Sequence, residues 1–209
     1  MPHSLLLKDE LRILKCCNII NSYFYIQKYT IMATKNWVID PTHSEVQFKI
    51  KYLMITNVSG SFNIFQATVQ TEDEDFMKAK VSFTVDIDSI STGNEQRDGH
   101  VKSPDFFDAA TYPKIKFEAT KFKSVDNDGS YELYGDLTIK HTTKNIKFDV
   151  EFGGVVKDYY GNTKAGFSIN GKINRKDFGL TWNAITEAGG IVVSDDVKIA
   201  CEIQLIEQA

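Results

Sequence analysis

Residues 79–88, AKVSFTVDID, alternate without a slip. Ala79, Val81, Phe83, Val85 and Ile87 fall on one side, and Lys80, Ser82, Thr84, Asp86 and Asp88 on the other. Successive side chains of an extended chain point to opposite faces, so such a segment has one dry face and one wet face. The dry face must be buried against something.

The same period recurs from Trp37 onward. Val46, Phe48, Ile50 and Tyr52 oppose Glu45, Gln47, Lys49 and Lys51. Phe62 and Ile64 are in phase, and the phase slips near Phe65–Gln66, as a bulge would cause. Ile115, Phe117 and Ala119 predict a fourth strand after residues 79–88. Tyr131, Leu133, Gly135, Leu137 and Ile139 predict a fifth, and Ile146, Phe148, Val150 and Phe152 a sixth. Ala165, Phe167, Ile169, Gly171 and Ile173 line a seventh, and Val197, Ile199, Cys201, Ile203 and Leu205 the last. Asn127-Asp128-Gly129 and Gly161-Asn162 supply turns, since these residues tolerate positive φ.

Only the connections at about 90–113 and 174–195 are long. The pattern is all-β: an eight-stranded antiparallel sheet that closes into a barrel or folds into a sandwich. An eight-stranded barrel is just wide enough to be filled by side chains or to hold one slender ligand. Gly135, Gly166 and Gly171 fall inside strands, where a missing side chain either leaves room or permits a bend.

A 209-residue chain that is 42% apolar and 25% charged suits one soluble domain. A net charge of −4 with no long basic run gives no reason to expect nucleic acid or an anionic membrane. Cys16, Cys17 and Cys201 form neither a disulfide framework nor a metal pair. His3, His43, His100 and His141 are too scattered to predict a metal site, and no cofactor is expected. Residues 1–31 break the alternation. Charges at Lys8, Asp9, Glu10, Arg12 and Lys15 interrupt their apolar run, so a secretory signal or bilayer span is not expected. They are read as a disordered extension, or as an upstream start with Met32 the natural one. Residues 32–209 are read as the barrel domain. The expected location is cytoplasmic, with the periplasm as the alternative.

The first long connection, RDGHVKSPDFFDAATYPKIKF at 97–117, crowds an Arg-Asp-x-His cluster, a Phe pair and a Tyr-Pro stop together. Asn94 before Glu95 predicts a helix start there. Asp105 and Asp108 flank Phe106 and Phe107, so at least one ring must be buried. Arg97, Asp98 and His100 suit structural pairing, contact with a ligand's head group, or acid–base work. Side chains at i and i+1 point apart on a helix, so Arg97 and Asp98 are expected to seek separate partners. Arg175 and Asp177, in the other long connection, are the expected partners across the same barrel end.

Four segments together resemble the YceI family from about Trp37 to Ile206. WVIDPTHSEVQFKI is similar to its opening segment, with Asp40, His43 and Ser44 in place. VDIDSISTGNEQRDGHVKSPDFFDAATYPKIKF resembles its longest signature, and YGDLTIKHTTKNIKFDVEF and INRKDFGL resemble two later ones. Lys140-His141 replaces a usual Gly, a change expected to alter only a turn.

The resemblance implies a lipocalin-like barrel, with short helical segments in the two long connections, holding a long isoprenoid or fatty-acyl chain in its lumen. The inward residues that would line it are Phe48, Ile50, Tyr52, Phe62, Val81, Phe83, Val85, Ile115, Phe117, Leu133, Leu137, Phe148, Phe167 and Ile169. Phe107 and Trp182 would stand near the ends. The expected function is a non-enzymatic carrier. The alternatives are an enzyme acting on a lipid-like substrate through His100, or a filled barrel with a structural role. A homodimer is left open.

Overall fold

The computed structural model describes residues 34–125, 129–184 and 192–208. The predicted extension at 1–31, the Met32 start and the Asn127-Asp128 half of the first turn lie outside the described residues. Among the described residues, one antiparallel sheet contains eleven strands. They are β1 (Thr34–Ile39), β2 (Glu45–Tyr52), β3 (Thr56–Phe62), β4 (Phe65–Glu72), β5 (Asp75–Asp86), β6 (Ile90–Ser91), β7 (Lys114–Ser124), β8 (Ser130–Ile139), β9 (Thr142–Lys157), β10 (Thr163–Asn174) and β11 (Val193–Gln208).

Eleven segments make eight staves. β1 and β2 pair in succession with the long β11, and β4 and β3 pair in succession with β1 and β2. β5 and β6 then pair with β4 and β3. So β1–β2, β3–β4 and β5–β6 are three interrupted staves, and β7 to β11 are continuous. Pairing of β1 with β11 closes the ring, giving an eight-stranded antiparallel barrel. Closure leaves no long sheet edge to solvent. The expected slip at Phe65–Gln66 is a full break two residues earlier: Asn63 and Ile64 leave the ladder, and Phe65, Ala67, Val69 and Thr71 then resume burial.

Both long connections carry a short helical turn. Helix α1 (Glu95–Lys102) begins where Asn94 caps it, its side-chain oxygen accepting from the Arg97 backbone N–H at 2.9 Å. Arg175–Phe178 form a 3₁₀ turn that ends on Gly179 at φ 76°, a left-handed cap that glycine adopts freely.

The strand glycines make room. Phe148 of β9 pairs with Gly171, which pairs with Ile199, which pairs with Phe48, which pairs with Gly60. The Phe148 ring covers Gly171 and the Phe48 ring covers Gly60, so closely that a Cβ on either glycine would collide with the ring. Phe117 covers Gly135 in the same way. Three rings therefore lie along the wall instead of standing into the bore. Gly166 meets nothing; it sits at the register shift between β9 and β10, where it permits a bend.

Candidate ligand-binding lumen and its mouth

A cavity of about 580 Å³ runs inside the barrel. That is within the range of roughly 300–1,000 Å³ typical of small-molecule sites. Each of the fourteen residues expected to line the lumen lines it, from Phe48 and Ile50 on β2 to Phe167 and Ile169 on β10, with Tyr52, Phe62, Val81, Phe83, Val85, Ile115, Phe117, Leu133, Leu137 and Phe148 between. Ala79, Ile87, Tyr131, Ile146 and Phe152 from the same alternation do not, and Ile64 is 58% exposed. Phe107 and Trp182 line it from the two connections. On β11 the lining runs from Val193 to Leu205. That is about 40 Å of strand at roughly 3.4 Å per residue, or about 30 Å along the axis for a strand tilt of about 40°.

One end is a floor. Trp37 is 1% exposed, and its indole N–H donates to Thr71 Oγ1 at 3.0 Å. Thr71 in turn donates to the Asp73 carbonyl at 2.6 Å. The Phe76 ring lies 5.2 Å from Trp37, 5.5 Å from Phe152 and 5.1 Å from Phe167, between centroids. Phe76 faces the cavity and Trp37 lies behind it.

Beside the floor, buried Asp40 accepts from the Thr42 hydroxyl at 2.6 Å, from His43 Nδ1 at 2.8 Å and from Lys164 Nζ at 3.1 Å. Burial opposes its charge, but these donors outweigh it and hold its carboxyl well below the usual carboxylate range. The Thr42 hydroxyl and the Asp40 carboxylate meet the same nitrogen of His43, at 3.0 and 2.8 Å. A hydrolytic relay needs the hydroxyl and the carboxylate on opposite ring nitrogens, so this cluster is a structural knot.

The other end is a mouth, built by α1 and its following loop, residues 175–184, and the β2–β3 hairpin. Arg97 and Asp98 converge on one residue, contrary to expectation. Arg97 donates to Thr92 Oγ1 and to the Thr92 carbonyl, both at 2.7 Å, and Asp98 accepts from the Thr92 N–H and hydroxyl at 2.8 and 2.5 Å. The loop before the helix folds back over its first turn, which brings Thr92 to both side chains. The expected pairing across the mouth is not made. Arg175 is 2% exposed and spends its donors on carbonyls of Leu180, Trp182, Val193 and Ser194, with Asp195 at 3.6 Å. Burial draws its pKa down and Asp195 works the other way. Asp177 bridges Lys144 at 3.5 Å, on the outside. Arg97, His100 and Arg175 line the cavity; Asp98 and Asp177 do not.

The two Phe rings divide the work. Phe107 packs inward against Phe62, 6.4 Å between centroids. Phe106 joins His100 and Trp182 in an aromatic cluster with centroids 4.9 to 5.1 Å apart. His100 Nε2 also meets Asp105 at 3.2 Å. Lys140 holds this loop to the β8–β9 hairpin by donating to the Phe106 carbonyl at 3.1 Å. So the Lys140-His141 departure does more than change a turn, and Lys140 sits there at φ 55°, where a glycine would be relaxed.

The sequence reading missed Val58, Val69, Phe76, Val101, Phe106 and Leu180 among the lining. Val69 had a signal, because alternation resumes after the strand break. Cys201 also lines the lumen, and burial pushes its thiol up to about 12, which leaves it inert.

The fold and the site define a closed antiparallel β-barrel with an apolar lumen, floored at one end and open at the other. Comparison with known proteins shows the family and the fold. The family model described as YceI-like domain matches residues 37–205, and the chain belongs to the YceI family. A UPF0312 protein of Staphylococcus aureus strain N315 is 42% identical over 164 residues, 78% of this chain and 92% of that protein. The YceI protein of Campylobacter jejuni is 36% identical, with a TM-score of 0.64 over 77% of this chain and 91% of that one. A polyisoprenoid binding domain from Saccharophagus degradans, implicated in plant cell wall breakdown, shares the fold at 15% identity, with a TM-score of 0.64 over 82% of this chain and 98% of that one. No described helix is long and apolar enough to cross a membrane.

Proposed function

We propose that this protein is a non-enzymatic carrier that holds a long polyisoprenoid or fatty-acyl chain in the barrel lumen. The observation that carries the reading is a continuous, mostly apolar bore in which Thr92, Arg97, His100 and Arg175 gather at the mouth, while the wall adds only Gln47 and the Tyr52 phenol of β2 as polar lining. A tail enters such a bore without leaving a polar group unpaired, and each buried methylene contributes about 0.8 kcal/mol before ordering costs. A head group would rest at the mouth. The polyisoprenoid binding of the Saccharophagus domain supports this ligand class. His100 as a catalytic base has less support: among the described residues its ring meets two aromatic rings and one carboxylate.

Mass spectrometry of organic extracts from protein purified from its native source is the first test; a stoichiometric long-chain lipid is the expected result. Titration with a fluorescent polyprenyl or fatty-acyl probe is the second. Saturable binding weakened by Phe107→Ala is expected. Protein that extracts clean and binds neither probe would sink the reading.

A further inference from the structure

The β2–β3 hairpin carries its apolar side chains outward. Tyr52 is 41% exposed, Leu53 37%, Met54 53% and Ile55 78%, at four consecutive positions on the rim of the mouth. The tip is well fixed: the Leu53 N–H donates to the Val192 carbonyl at 2.7 Å, and the Ile55 N–H to the Tyr52 carbonyl at 3.2 Å. Leu53 and Met54 both adopt left-handed backbone, at φ 49° and 60°. Within this three-residue loop, a turn with positive φ at both central positions favours Asn-Gly, because side chains beyond Cα resist positive φ. Here two large apolar residues occupy the positions that turn chemistry would give to Asn and Gly. What they gain lies outside the hairpin.

The outer face behind this tip is cationic. Lys49 and Lys51 alternate with the inward Phe48 and Ile50. Lys49 pairs directly with Lys198 of β11, which pairs directly with Lys172 of β10. Like charges directly opposite across strands disfavour folding. Of the four, only Lys172 has an ion-pair partner among the described residues, Asp196 at 2.9 Å. The acids nearest on β11 are committed: Asp196 to Lys172, and Asp195 to Lys176 at 3.0 Å. At the floor end charges are mixed: Glu72, Glu74 and Glu207 are bridged by Lys78 and Lys35.

We propose that the β2–β3 tip is a membrane-docking surface: Leu53, Met54 and Ile55 enter the interface of an anionic phospholipid bilayer while Lys49, Lys51 and Lys198 meet its head groups. Apolar residues at the headgroup–acyl boundary together with basic residues on the adjoining face are the combination that interfacial binding uses. Tyr52 belongs both to the tip and to the lumen lining, so docking sets the mouth against the lipid. The value of that placement rests on the carrier reading; the docking itself does not.

Flotation of the full chain with two vesicle types tests it: phosphatidylcholine alone, and equal parts phosphatidylcholine and phosphatidylglycerol. The chain floats with the mixed vesicles and much less with the neutral ones. The double substitution Leu53→Asn with Met54→Gly suits the turn, so it keeps the fold. It weakens vesicle binding by at least about tenfold while leaving affinity for soluble polyprenyl probe unchanged. Joint substitution of Lys49, Lys51 and Lys198 by Gln weakens binding to mixed vesicles by roughly a hundredfold, each lysine supplying a factor of about five. A wild-type chain that ignores mixed vesicles, or a tip variant that floats as well as wild type, overturns the proposal. So does a wild-type dimer that ignores vesicles and that the tip substitutions dissociate, which would make the tip an interface between copies. Probe binding separates the two readings, because a chain that floats yet binds no probe defeats the carrier and leaves the docking standing.

Discussion

The floor and the mouth of this barrel are both rich in aromatic rings, yet they use them differently. At the floor, Trp37 is buried, its indole N–H is satisfied by Thr71, and its ring packs on Phe76. The Asp40 cluster fastens the turn beside it through three donors. At the mouth, His100, Phe106 and Trp182 pack on one another, but each remains part exposed. The floor's contacts are buried and mutually dependent, so they concern stability. The mouth's contacts sit on connections and are only half withdrawn from water, so they can loosen without unfolding the sheet.

That contrast can be broken by substitution. Trp37→Ala should cost about 3–5 kcal/mol in urea unfolding, the usual range for deleting a large buried ring. A loss no greater than that of mouth variants would break the comparison. Asp40→Ala removes the buried acceptor shared by Thr42, His43 and Lys164, although Lys164 keeps Gln204 at 3.0 Å and Asp158 at 3.6 Å, and should cost about 1–3 kcal/mol. Because the folded-state pKa of Asp40 is depressed, its contribution is fully present above about pH 4 and is lost as pH falls below that. The gap between wild type and Asp40→Asn in melting temperature should therefore narrow on acidification; a gap that widens would reverse the assignment.

Gly171→Ala sharpens the comparison. The added methyl displaces the Phe148 ring from the wall, for about 1–3 kcal/mol of strain and a smaller bore. Probe affinity should fall more than stability does. Trp182→Ala at the mouth should move stability least, by about 1 kcal/mol or less, while speeding release of bound probe in stopped-flow exchange. Unchanged release would deny the aromatic cluster its part in retention.

Strand count, inward faces and the α1 start were legible because each leaves a periodic or positional trace. Phe48, Ile50 and Phe148 announce their face by their neighbours two residues away. The partners of Arg97 and Arg175 left no such trace. Arg175 is held by backbone carbonyls, which every residue type offers, so no spacing of acids could point to them. The expectation of cross-pairing assumed that charges seek charges. A buried guanidinium ringed by carbonyls meets the same need without a carboxylate. Phe76 was missed because it stands just after the β4–β5 turn, before alternation is established.

The belt that runs Phe148, Gly171, Ile199, Phe48, Gly60 has a consequence for how such a barrel changes over evolutionary time. Its gauge is set by residues with no side chain, and the movable part is a ring on the neighbouring strand. One added carbon at Gly60 or Gly171 would swing a ring inward and narrow the channel without touching the hydrogen-bonded frame. The smallest residues in the wall thus act as its calibration points, and a lineage could refit the barrel to a slimmer cargo in a single step.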